Sequence, residues 1–393
     1  MRILFLTSRL PYPPDRGDRL RTFQFLCDFA QEHEVTLISF VASEQEAAQA
    51  AKLEKCCVKI QLVPLPRRRS AINVVTNIWR DMPLQALYYR SAEMDRAVHR
   101  LMLGSRFDLA YVHLFRMAPY LIDKPDIYRV VDFTDMISLE IEASLAYLPA
   151  HWRAVYSLEL PRLQRFERQL MSRVDEAWLI SRRDAQLLKN GPDQARIGIV
   201  PNSVDERLFA VNNSHAHAMR LIFVGNLEVK HNIDALIYFV EEILPIVRRT
   251  VPECILQIVG AGDPGSTGRL ADEPGVTLSG YVPDLAEAYA GSTVSVAPLR
   301  FSAGIQNKVI EAMAAGVPVV TTSAVNAGLG AMDNRDLLIA DSPSHFAAQV
   351  VRLLQDQPMR QNVGQSGREF VRSQFSGNRA LERLRAIESM LNG

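Results

Sequence analysis

The chain has 393 residues, 48% of them hydrophobic and 22% charged, which is enough apolar material for two domain-sized cores and too much for a disordered chain. Its 44 basic and 44 acidic side chains cancel, so no global field draws it to nucleic acid or to an anionic membrane, and any such attraction has to be local. Cys27, Cys56, Cys57 and Cys254 have neither a zinc-ligand spacing nor the pattern of a secreted disulfide framework. The opening MRILFLTSRLPYPP is too short in its apolar run for a signal peptide, and no segment reaches about eighteen uninterrupted apolar residues, so a soluble protein of the reducing cytoplasm is expected.

In chain order, residues 2–6 read as a buried parallel strand closed by the proline-rich turn at 11–14. The periodicity predicts a helix over 18–31 with Leu20, Phe23, Leu26, Cys27 and Ala30 on its inner face, and EVTLISFV supplies the next strand. The alternation continues through VKIQLVPL, a helix over 92–102, DLAYVHL and YRVVDF. Long helices are expected over 138–173, then DEAWLIS and IGIV as strands. A second alternation follows the polar stretch 211–218: RLIFVG, a helix over 232–249, CILQIVGAG, VTLSGY, VSVAPL, VPVVTT and DLLIA. The expectation is an α/β protein of two Rossmann-like, doubly wound parallel-sheet domains, residues 1–205 and 206–375. A final helix lies within 376–393 and packs back toward the first domain. Such sheets bind ligands at the carboxyl ends of their strands, so a cleft between the domains is the expected site.

The most informative stretch is VSVAPLRFSAGIQNKVIEAMAAGVPVVTT, residues 294–322. A strand ends at Pro298, a loop holds Gly304, and a helix starts near Gln306 with Val309, Ile310, Met313 and Ala314 as its apolar positions; Gly316 and Pro318 close it. A loop-to-helix start offers unpaired N–H groups and the positive end of the helix dipole, which suit a pyrophosphate. Lys308 opposes that dipole unless an anion is bound, and Glu311 can accept two hydrogen bonds from a ribose diol. Taken alone, Lys308 and Glu311 also fit a solvent-facing i,i+3 ion pair.

GIQNKVIEAMAAGVPVV resembles the donor-binding signature of the retaining glycosyltransferase family four, of GT-B fold. The likeness extends from LTSRLPYPPDRGDRLRTFQFL through VPNSVDERLF to GYVPDLAEAYAGSTVSVAPL. The resemblance implies a nucleotide-sugar donor, a carbohydrate or lipid-linked acceptor, and a cytoplasmic place in bacterial surface polysaccharide assembly. The family carries two glutamates eight positions apart, and the first position here is Ala303, so sugar recognition falls to the backbone of Ala303, Gly304 and Ile305, to Gln306 and to the neighbouring Asn307. The family's diphosphate-facing basic pair corresponds to Asn226 and to Lys230 or, by strict counting, His231; Lys230 is favoured because it stays charged. Gly225 and Gly17 are expected to admit phosphate, Tyr281 and Val282 to border the base unless Tyr281 is core, and His113 to face the donor sugar. Arg16, Arg19 and Asp135 are acceptor candidates, with Asp132 and Glu140 beside them; arginines at this helical spacing, Arg21 included, otherwise read as solvated surface.

No two aspartates are two apart and no histidines have ligand spacing, so neither a metal nor another cofactor is expected. The resemblance implies retention at the anomeric carbon, with Lys308 and Lys230 countering charge on the departing diphosphate. RRRSAINVVTNIWR, from Arg67, mixes basic and apolar residues and fits either a peripheral contact with the cytoplasmic face of the inner membrane or a helix covering the first domain. Two rival classes share the fold: a nucleotide-sugar 2-epimerase, and a non-catalytic nucleotide-sugar-binding protein, which Ala303 keeps open.

Overall fold

The computed structural model describes residues 1–14, 17–124, 126–188, 196–212, 219–262, 270, 272–301 and 304–393. It divides into two compact units, Met1–Pro201 with Asn378–Gly393, and Asn202–Gly377. In the first unit β1 (Arg2–Thr7), β2 (Glu34–Val41), β3 (Lys59–Pro64), β4 (Leu109–His113), β5 (Tyr128–Thr134), β6 (Glu176–Leu179) and β7 (Arg196–Ile199) form one sheet in the order β3-β2-β1-β4-β5-β6-β7. Every pairing is parallel. The central strands are buried on both faces, which is why they read as unbroken apolar runs rather than as alternations.

The second unit repeats the architecture with β8 (Arg220–Val224), β9 (Ile255–Val259), β10 (Val276–Gly280), β11 (Val294–Ala297), β12 (Val319–Thr321) and β13 (Leu338–Ile339), in the order β10-β9-β8-β11-β12-β13. Each sheet therefore reverses its strand order once, between β1 and β4 and between β8 and β11. At a reversal the crossing helices leave in opposite directions, which opens a crevice at the carboxyl ends of the strands.

The first helix, Gly17–Phe29, turns a different face inward from the one its periodicity suggests. Arg21, Thr22, Phe25, Leu26 and Phe29 are buried, while Leu20, Phe23, Cys27 and Ala30 are only half-buried. Phe25 and Phe29 lie against Tyr111 and Trp178 with ring centroids 5.5–6.1 Å apart, a cluster no hydrophobicity count can place. Arg21, expected at the surface, is 1% exposed. Its Nε and Nη2 donate to Asp132 at 2.7 and 3.0 Å, and Tyr111 Oη donates to the same carboxylate at 2.5 Å. Burial by itself raises the Asp132 pKa, but the Arg21 charge and the hydrogen bonds outweigh it and hold the group well below the usual carboxylate range. Asp132 Oδ1 also accepts from Thr134 N at 3.0 Å, steadying a left-handed φ of 63° at the end of β5.

The helix Arg379–Asn392 belongs to the first unit: Ala380, Leu381, Leu384 and Ile387 join the core beside Phe25 and Trp178, and Arg383 Nε donates to Glu176 at 2.6 Å. The four cysteines are free thiols, and Cys27 Sγ comes within 2.8 Å of Cys56 Sγ.

Arg21→Leu leaves the Asp132 carboxylate buried without its cation and is expected to destabilise the first unit by about 3–5 kcal/mol. Asp132 has a folded pKa below its unfolded value, so its contribution is complete above about pH 4 and is lost as pH falls toward the depressed folded value. Urea unfolding followed by the fluorescence of buried Trp178 checks both expectations, and a variant midpoint equal to wild type at pH 7 contradicts them.

Candidate functional site

In the second unit the residues singled out from sequence follow β8, β10 and β11, on the connecting loops or in the first turns of the helices beyond them. After β8 the chain turns through Gly225 and Asn226 into the helix Lys230–Tyr238; Gly225 N donates to Val259 O at 2.9 Å and Leu227 N to Ala261 O at 2.7 Å. The turn and the segment beyond β9 run so close that a Cβ on Gly260 would stand 1.8 Å from Gly225 O. After β11 the loop passes through Gly304, at φ 60°, and enters the helix Asn307–Ala314. A Cβ on Gly328 would lie 2.0 Å from Gly304 O, so that loop rests directly on helix backbone.

The helix Asn307–Ala314 buries Val309, Ile310, Met313 and Ala314. Its N-cap, Gln306, makes no side-chain cap bond, and the first turn of any helix carries N–H groups without intrahelical partners. At the other end Arg368 donates to Ala314 O and Ala315 O at 3.1 and 2.7 Å, closing the helix where Gly316 takes a φ of 69°.

Lys308 is 9% exposed, which rules out the solvent-facing ion pair. Its ammonium lies 5.2 Å from the centre of the Phe223 ring and donates to Asn232 Oδ1. Asn232 Nδ2 in turn donates to Asn226 O at 2.8 Å, so one buried amide ties the turn after β8 to the lysine after β11. Burial pushes the Lys308 pKa down to about 7, with the Glu311 charge pulling the other way. Burial pushes Glu311 up to about 7; Lys308 lowers it, Asp205 raises it, and the Tyr289 hydroxyl steadies the ionised form. That hydroxyl also donates to Lys308 O at 3.2 Å. The helix start is braced further by Asn202 Nδ2, which donates to Asn307 Oδ1 at 2.8 Å.

Lys230, favoured over its neighbour for the second cation, is exposed at the first position of its helix. His231 is half-buried, edge-on to Phe301 and within reach of the Lys308 charge; burial and then that charge push its pKa down to about 3, so it is neutral and supplies no second cation. Tyr281 is 68% exposed and is not core, while Val282 beside it is half-buried; Ile305 is buried. Ala303 lies outside the described residues. Asn232 is the residue that sequence reasoning missed. Asparagine in the first turn of a helix, among Lys230, His231 and Asp234, carries little signal in the sequence that it will be buried.

In the first unit Gly17 is exposed at the start of its helix, after β1, and His113 ends β4, so both stand beside that sheet's reversal point. His113 is buried with Nδ1 3.6 Å from Asp132 Oδ2, and neither ring nitrogen completes a hydrogen bond among the described residues. Asp132 is occupied by Arg21 and Tyr111, which corrects its reading as an acceptor contact. Arg19 is likewise held by Glu46 at 2.7 Å rather than left open, and Arg16 lies outside the described residues. Asp135 has a buried, unpaired Oδ1; burial raises its pKa well above the ordinary value, the charges of Glu140 and Asp184 add to that, and Arg21 opposes it. Asp184 and Glu167 steady the start of the helix Ile137–Ser144, Glu167 Oε1 accepting from Ser138 N at 3.3 Å. Among the described residues no group of three or more His, Cys, Asp or Glu is placed to hold a metal ion.

Residues 218–356 match the model of the family described as Glycosyl transferases group 1. A protein described as an uncharacterised 44.6 kDa protein in the cps region of Klebsiella pneumoniae is 24% identical over 370 residues, 89% of this chain and 90% of that one. The capsular polysaccharide biosynthesis glycosyltransferase CapM of Staphylococcus aureus is 26% identical over 186 residues, 47% of this chain and 40% of its own. Among solved structures, sucrose-phosphate synthase from Thermosynechococcus elongatus superposes with a TM-score of 0.72 at 15% identity, covering 100% of this chain and 99% of that one. Anabaena HepE in complex with UDP-glucose gives 0.68 at 14%, covering 99% and 100%. The fold is that of the GT-B glycosyltransferases.

Gly328→Ala is expected to push the Gly304 loop off its support and to destabilise the second unit by about 1–3 kcal/mol. Chemical denaturation checks this, and a neutral result contradicts the close approach on which the loop is built.

Proposed function

We propose, from the premise that the second unit carries a Glycosyl transferases group 1 domain, that the chain moves a sugar from a nucleoside-diphosphate sugar to a carbohydrate or lipid-linked acceptor. The setting proposed is bacterial surface polysaccharide assembly on the cytoplasmic side of the membrane, with retention at the anomeric carbon and no metal ion. The observation that carries the reading is the Lys308 ammonium held by Asn232 at the β8/β11 reversal, beside Glu311 and an uncapped helix start.

A protonated lysine has three donors, and Asn232 takes one, so two remain for diphosphate oxygens. As the bond from the anomeric carbon to the diphosphate loosens, charge grows on that oxygen, and the ammonium and the helix N–H groups stabilise it without reorganising. The acceptor hydroxyl adds from the same face and passes its proton to the departing phosphate oxygen, so no carboxylate nucleophile is needed. Glu311 accepts from the ribose diol; Gly225, Asn226, Lys230, Tyr281 and Val282 complete the nucleotide side; and the segment 303–307 meets the sugar. His113 is assigned to the donor sugar and Gly17 to the donor phosphate; Asp135 serves the acceptor side.

Glu311→Ala is expected to weaken nucleotide-sugar binding roughly 10- to 100-fold, through the loss of charge-assisted hydrogen bonds. Lys308→Ala lowers turnover about 100-fold or more and affinity less. Thermal-shift screening against UDP-, GDP-, ADP- and dTDP-sugars identifies the donor, after which calorimetry and steady-state kinetics test both variants; unchanged values in both overturn the assignment.

Both groups titrate near pH 7 in the free protein, so donor affinity is expected to peak there. It falls at higher pH as free Lys308 loses its proton, and at lower pH as Glu311 gains one. Lys308→Ala should abolish the alkaline limb and Glu311→Gln the acidic limb; a flat pH profile between 6 and about 8.5 for the wild type contradicts the pairing.

A further inference from the structure

The segment 67–90 holds Arg67, Arg68, Arg69, Arg80 and Arg90 against the single acid Asp81, a local excess of positive charge in a chain whose total is zero. Residues Arg67–Asn77 form a helix whose only buried side chain is Ser70. Ile72, Val75, Ile78 and Trp79 follow one another along one stripe of that helix and its closing turn, and all four are exposed, Val75 by 70% and Trp79 by 89%. Asp81 pairs with Arg165 at 2.6 Å on the helix Ala150–Met171, which carries exposed Leu158 and Val155 on the stripe leading away from Arg165.

Arg69 and Arg80 flank the apolar stripe and, with Arg90, line a hollow of about 230 Å³ shared with Asn73, Asn77 and Ser91 and containing no acidic residue. Asn73 Nδ2 donates to Arg90 O at 2.8 Å, which ties the helix to the far wall. Among the described residues none of the three arginines is ion-paired, and Glu93 lines only the small neighbouring cavity. Three unneutralised guanidinium groups around a polar hollow suit a phosphate oxygen cluster, and Arg forms bidentate bonds to phosphate. An exposed apolar stripe with tryptophan at one end and arginines along its edge suits the boundary between headgroups and acyl chains. No helix among the described residues is long and apolar enough to cross a membrane, so contact of this kind lies in the plane of the surface.

We propose that this face of the first unit docks on an anionic phospholipid bilayer, with one lipid phosphate seated among Arg69, Arg80 and Arg90 and with Ile72, Val75 and Trp79 inserted beside it. The surface is built from residues of the first unit alone and the donor groups from residues of the second, so the proposal stands independently of the donor assignment.

The test is co-sedimentation of the full chain with phosphatidylcholine vesicles and with phosphatidylcholine–phosphatidylglycerol vesicles. Binding is expected only to the anionic vesicles, with a blue shift of tryptophan emission and with weakening as salt rises from about 0.1 to 0.5 M. The triple change Arg69→Gln, Arg80→Gln, Arg90→Gln should reduce the partition roughly tenfold or more. Trp79→Ala should reduce partition and blue shift together, with circular dichroism melts unchanged because these side chains lie at the surface. Equal binding to both vesicles, no binding to either, or capture of soluble glycerol 3-phosphate without vesicle binding would overturn the proposal.

Discussion

A parallel sheet covered by helices on both faces leaves its strands no polar outlet except their ends, and the whole arrangement of charge in this protein follows from that. Side chains within the central strands are buried and mostly apolar, and the groups singled out for chemistry collect toward the carboxyl ends. The demand is sharpest at the two strand-order reversals, where a charge enters the protein and has to be met by fixed partners. At one, Lys308 is met by Asn232; beside the other, Arg21 is met by Asp132 and Tyr111.

These two solutions differ in kind. Arg21 and Asp132 neutralise each other through a two-point hydrogen-bonded contact, with Tyr111 donating to the same carboxylate, so the pair braces the first helix against β4 and β5. Lys308 meets a neutral amide, which orients the ammonium without cancelling its charge and leaves donors over. A lysine held in that way, with its pKa brought down to about 7, is poised to respond to an arriving anion. The same burial that lowers Lys308 raises Glu311, so the two groups share one titration range through one physical cause.

The loops after β8 and β11 are supported by close backbone contacts as well as by the side chains of Asn232 and Asn202. Gly260 against Gly225 and Gly328 against Gly304 are contacts that no residue with a Cβ can make, and they hold two separate loops in register with the strand ends. The second unit thereby holds Gly225 and Gly304 on turns braced by close backbone contact.

Strand identity, the doubly wound class and the helix after β11 were legible from the amino acids, because double burial writes continuous apolar runs and because glycine and proline mark where such runs stop. Lys308 and Glu311 were legible as a pair three residues apart on one helix. The burial of that lysine was not, since its partner Asn232 lies 76 positions away and only packing brings the two together. For the same reason the first helix was read with the wrong inner face: a buried arginine is forbidden by composition rules until a carboxylate 111 positions on is seen to receive it. Local pattern thus determined which elements form and in what class of sheet, while the choice of which polar groups go inside belonged to the tertiary structure, because a buried charge is tolerated only by partners distant in sequence.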